Sequence, residues 1–154
     1  MSGKVCSTVL AVMALAIAPT ATASPPKPVA FDLHGHLTSL STTAGDWQAN
    51  GAVRDAGTYT ESFRFAGGSP TMPRTIHLTK TLIGAKGTLH LRAEAVVIWQ
   101  SPTLVTFKAG NWRITSGTGA YRHLHAGGTP AVTPESFGDL VTGLVHVEHV
   151  GQAH

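Results

Sequence analysis

Glu61 raises the sharpest chemical question in this chain. In Thr58-Tyr59-Thr60-Glu61-Ser62-Phe63-Arg64-Phe65, the aromatic residues Tyr59, Phe63 and Phe65 occupy alternate positions, as one face of a β-strand requires, and Glu61 falls on the same row. A carboxylate on an apolar face is costly unless it is paired, hydrated or protonated. Lys80 lies by the same test on the row of Ile76, Leu78 and Leu82, and is a suitable partner. Either the two satisfy one another at a wet mouth of the fold, or Glu61 is a pocket acid or base and the candidate catalytic residue. In the second case Tyr59, Phe63 and Lys80 line a ligand site with it.

Histidines offer a second chemistry. His34 and His36 form a His-x-His pair on one strand face, a spacing that lets two imidazoles reach one metal ion, and His123 and His125 repeat it. With nine histidines in the chain such spacings arise by chance, and His34 and His36 share their face with Asp32 and Thr38, opposite Phe31, Leu33 and Leu37. The expectation is that both point to solvent, so they are weak metal candidates. No Gly-x-Ser-x-Gly element is present. Gly117-Thr118-Gly119 lacks the Lys and following helix of a phosphate cradle and reads as a turn. Trp47, Trp99 and Trp112 read as core or barrel-end packing. Nothing in the sequence requires a cofactor.

The elements that position these residues are strands. Phe31–Leu40, Asp46–Val53, Thr58–Ala66, Thr75–Leu82, Thr88–Trp99, Leu104–Ala109 continuing through Asn111–Ser116, Gly128–Thr133 and Leu140–His149 all read as extended, with Val141, Gly143, Val145 and Val147 forming one row of the last. Turn chemistry separates them at Thr43–Asp46, Asp55–Gly57, Gly67–Pro70, Gly84–Gly87 and Ala109–Asn111. About eight sequential antiparallel strands without a crossover helix predict an all-β, calycin-like, eight-stranded antiparallel up-and-down barrel spanning 30–154.

Lys4, the apolar run Val9–Ala18, Pro19 and the small residues Ala21-Thr22-Ala23 have the order of a secretory leader cut after Ala23. The run is too short for a membrane anchor, which needs roughly 20 apolar residues. Ser24–Pro28 reads as the core of a Pro-rich lead-in over 24–29. The single cysteine, Cys6, falls within the leader, so the exported domain is expected to lack disulfides. A formal charge of +3, spread along the chain without a basic stripe, argues against nucleic-acid binding.

Three stretches carry a resemblance: Gly51-Ala52-Val53 to Asp55-Ala56-Gly57-Thr58; Lys80-Thr81-Leu82-Ile83-Gly84 to Gly87-Thr88-Leu89; and Trp112-Arg113-Ile114 with Ser116-Gly117-Thr118-Gly119-Ala120-Tyr121 to Leu124. Together they resemble small secreted bacterial proteins related to the allene oxide cyclase and dirigent barrels, most specifically in the Gly-rich turn bearing Tyr121. The resemblance implies an eight-stranded barrel with a cavity open at one end, which in the plant relatives holds a hydrophobic or phenolic intermediate while it cyclises or couples. It also implies that a homo-oligomer is allowed. The acidic and polar residues near the start of the plant cyclase barrels have no counterparts in Phe31-Asp32-Leu33-His34-Gly35-His36-Leu37.

Tyr121 and Leu124, three apart on a helical turn, are expected to cover one barrel end, with Tyr121 part of the ligand site. Three functions fit: a secreted barrel binding a small hydrophobic molecule, a cyclase or isomerase acting as a shaped chamber, and a filled barrel acting as an interaction protein. An interior cavity of roughly 300 Å³ or more separates the first two from the third.

Overall fold

The computed structural model describes residues 24–67, 73–129 and 136–154. The expected leader lies outside them, as do Gly68–Pro70 of one expected turn and the end of the expected Gly128–Thr133 strand.

Antiparallel strands β1 (Lys27–Ser39), β2 (Thr42–Gly51), β3 (Asp55–Ala66), β4 (Arg74–Gly84), β5 (Gly87–Trp99) and β6 (Leu104–Gly117) each pair with the next. A single 3-10 turn, Gly119–Tyr121, follows. Two short strands, β7 (Ala126–Gly128) and β8 (Phe137–Asp139), pair with different stretches of both β6 and β9 (Leu144–Ala153), and together fill one place in the wall. β9 then pairs with β1 from Lys27↔Ala153 to His36↔Leu144. The sheet therefore closes as the expected eight-stranded antiparallel barrel, and closure covers the edges that β1 and β9 would otherwise leave open to one another.

Period two sorts the side chains. Phe31, Leu33, Trp47, Leu82, Leu89, Leu91 and Trp112 are all 2% exposed or less. Phe31 lies edge-on to Trp112 at 5.5 Å and tilted against Trp47 at 6.1 Å. These large rings fill one half of the barrel. The indole N–H groups of Trp47 and Trp112 are not stranded there, because they donate to the carbonyls of Ile83 (3.2 Å) and Val150 (2.8 Å).

The expected turns at Thr43–Asp46 and Asp55–Gly57 are strand instead. β2 starts at Thr42, and its inward row is Thr43, Gly45, Trp47 and Ala49, an alternation disguised by two small or polar members. Gly45 serves close approach rather than reversal, since a Cβ there would run into the His34 carbonyl and the Cα of Gly35 on β1. The actual reversal is at Leu40–Ser41, where the hydroxyls of Thr38 and Ser39 each meet that of Thr42 at 2.7 Å. The last strand starts at Leu144 rather than Leu140, and Val141 sits 75% exposed in the turn before it. β1 begins at Lys27, ahead of the expected Phe31, because β9 extends far enough to pair with it.

Candidate functional site

The polar groups inside the barrel form a line across neighbouring strands. Register places Thr43 opposite Glu61 and Glu61 opposite Lys80, so the carboxylate sits between a hydroxyl on β2 and an ammonium on β4. Thr43 donates to Glu61 Oε1 at 3.1 Å, and Lys80 Nζ donates to Glu61 Oε2. The Tyr59 hydroxyl bonds Thr43 from the other side. Glu61 is 5% exposed and Lys80 1%, so the pair lies in the interior and not at a wet mouth. Burial pushes the Lys80 ammonium down to about 7, against the carboxylate that favours its charge.

His149 completes the cluster. It follows Val145 and Val147 on the inward row of β9 and is fully buried against Trp112, with ring centroids 5.8 Å apart. Neither ring nitrogen has a hydrogen-bond partner among the described residues. Burial first, and the Lys80 charge second, hold its imidazole well below the ordinary range. It is therefore a neutral group packed on Trp112 and close enough to Lys80 to feel its charge.

Above this cluster the barrel is hollow. A cavity of about 530 Å³ occupies the end carrying the β1–β2 and β5–β6 connections. Its walls are apolar, with Phe63, Leu78, Val97, Val105, Phe107 and Val145 among them, and Glu61 and Thr43 supply polar atoms. Trp99 also lines it, and its buried indole N–H has no partner among the described residues. The cavity thus offers a carboxylate that accepts, within greasy walls, while the Trp99 N–H is itself shielded from the space its ring lines. Leu40, Leu140, Val141 and Leu144 stand exposed around the same end. A second hollow, a polar groove of about 570 Å³ on the outside of the wall, is crossed by the His77–Glu94 pair (3.2 Å) and lacks this apolar enclosure.

Of the five residues expected at a ligand site, Glu61 and Phe63 line the cavity, while Tyr59 and Lys80 lie behind it in the wall cluster. Tyr121 is at the other end of the barrel. Its ring is buried, and its hydroxyl donates to Asp55 at 2.6 Å. Leu124 packs partly buried against the core. His34 and His36 lie on the outside of β1, and His123 and His125 are exposed beyond the 3-10 turn. Sequence reasoning missed Thr43, Trp99 as a cavity residue, and His149. The signal for His149 was present, because it continues the inward row of Val145 and Val147. Thr43 was hidden by its turn-like neighbours.

Compared with protein-family profiles, with curated proteins and with solved structures, the chain gave no match. Among the described residues no helix is long and apolar enough to cross a membrane.

Proposed function

We propose that this barrel binds a small, mainly apolar molecule carrying one polar group, held in the hollow end with that group directed to Glu61. The observation that carries the reading is the cavity of about 530 Å³, apolar in its walls and bounded by a buried carboxylate. Its size falls in the range of small-molecule pockets, and a few fixed polar groups in a greasy enclosure are what orient a ligand. A filled barrel would have no such space. In the same reading the chain is exported after loss of Met1–Ala23 and works alone or as a homo-oligomer.

The test is titration with a neutral apolar fluorophore such as N-phenyl-1-naphthylamine, alongside native mass spectrometry of protein taken from the culture medium. Saturable binding, weakened about tenfold by Val105→Trp, is expected, because the larger ring occupies the cavity. Binding indifferent to that substitution would place the probe elsewhere and end the proposal.

Glu61 on the cavity wall also favours a second reading, a cyclase or isomerase chamber of the kind the resemblance implies, in which enclosure and orientation direct the product. Glu61→Gln separates the two. It spares binding of a neutral ligand but abolishes a reaction that needs the carboxylate as acid or base.

A further inference from the structure

The seam where the first strand meets the last carries a set of side chains unrelated to the cavity. Asp32 and His34 stand two apart on the outer face of β1, and register puts His146 of β9 directly opposite His34. Asp32 Oδ1 lies 2.7 Å from His146 Nε2 and 3.1 Å from His34 Nε2. The two imidazoles are stacked, with centroids 4.1 Å apart and planes within 12°. One donor atom from each of the three residues lies within 4.8 Å of the others, and this is the one such group of three among the described residues.

We propose that Asp32, His34 and His146 form a binding site for a divalent transition-metal cation of the zinc class. Donors held about 2.1 Å from a tetrahedral zinc ion stand roughly 3.4 Å apart, so a small spreading of these three atoms admits the metal. Two imidazole nitrogens and one carboxylate suit zinc and its neighbours better than magnesium or calcium, which prefer all-oxygen shells. Gln48 Nε2 donates to Asp32 Oδ2 at 3.1 Å and holds the carboxylate in orientation, as a supporting group around a metal does. His34 is largely exposed, with 60% of its side chain accessible, which leaves the fourth position to water or an outside donor. The expected His34-x-His36 pair is not this site. His36 shares the strand, but the second imidazole comes from β9. A metal here would also clip β1 to β9, the contact that closes the barrel.

The experiment is calorimetric titration of the untagged, chelator-stripped chain with zinc chloride, paired with thermal unfolding. Saturation at a single equivalent is expected, together with a rise in Tm on adding zinc. His146→Ala, His34→Ala and Asp32→Asn each weaken binding about tenfold or more, and His146→Ala abolishes the rise in Tm. His125→Ala, which removes an exposed imidazole stacked on His154, leaves binding unchanged. Absence of saturable binding, equal affinity in His146→Ala, or loss of binding in His125→Ala instead would overturn the assignment.

Discussion

An ammonium and a carboxylate buried side by side each lose their hydration, and their attraction at best repays that loss. The Glu61–Lys80 pair is therefore poorly explained as a source of stability, and better as a charged group kept beside a cavity. Removing one partner exposes the cost. Lys80→Met is expected to destabilise the fold by about 3–5 kcal/mol, because the carboxylate is left alone in the interior, whereas the double variant Glu61→Leu/Lys80→Met recovers most of that loss. Urea unfolding of the set decides it, and a Lys80→Met variant as stable as the parent would show that the pair is dispensable.

His149 adds a pH dependence. Its folded pKa is lowered well below 6.5 by burial and the Lys80 charge, so the unfolded chain takes up a proton near pH 6.5 that the folded chain refuses. Its contribution is complete above that pH and is lost as the pH falls toward the folded value. His149→Phe keeps a ring against Trp112 and should flatten the fall in denaturation midpoint between pH 6.5 and pH 5. An unchanged slope would assign that fall to other groups.

Among the elements, β6 bends where its register with β5 shifts between Ala95 and Val96. Ala109 there has φ +42°, the one described non-glycine residue in the left-handed region, and Gly110 follows at +148°. A Cβ at Ala109 costs about 1–2 kcal/mol in that conformation, part of which glycine returns as lost chain freedom. Ala109→Gly is accordingly expected to raise stability by up to about 1 kcal/mol. Gly110→Ala should lower it, because a Cβ there meets the Glu94 carbonyl. Thermal unfolding of the two variants, shifting in opposite directions, checks both. At the filled end, Asp55 joins three elements. Burial alone would raise its pKa, but the Tyr121 hydroxyl and the backbone N–H groups of Lys86, Ala56 and Ala85 outweigh that and hold it below the ordinary carboxylate range. Tyr121 is thus a fastening between the 3-10 turn and the start of β3.

For the whole molecule, the decisive property is the division of one barrel into a packed half and a hollow half. Phe31, Trp47 and Trp112 pack against one another in the filled half, while the side chains lining the other half, Phe63, Leu78, Val97, Val105 and Phe107 among them, leave a space between them. A ligand that binds only the folded barrel must stabilise it. At a hundred times its Kd the neutral fluorophore should add about 2.7 kcal/mol, read as a concentration-dependent Tm. A Tm unmoved at saturation would mean that the probe binds the unfolded chain as well. Pairing of β3 through β6 also sorts charge, gathering Arg64, Arg92 and Arg113 along one outer groove.

Alternation is a local property, because successive side chains leave a strand on opposite faces whatever the strand packs against. Sequence alone therefore determined the β class, most strand positions and the inward row shared by Tyr59, Glu61 and Phe63, and it offered Lys80 as a partner for Glu61, which the β3–β4 register then placed opposite it. It misjudged Thr43–Asp46, where glycine chosen for close strand approach looks the same as glycine chosen for a turn. Whether the interior is open depends on strand number, stagger and the summed volume of inward side chains, none of which any single segment carries. Only the closed barrel could set Thr43 and Trp99 around one cavity and bring His146 onto His34, because ring closure brings together the two ends of the chain.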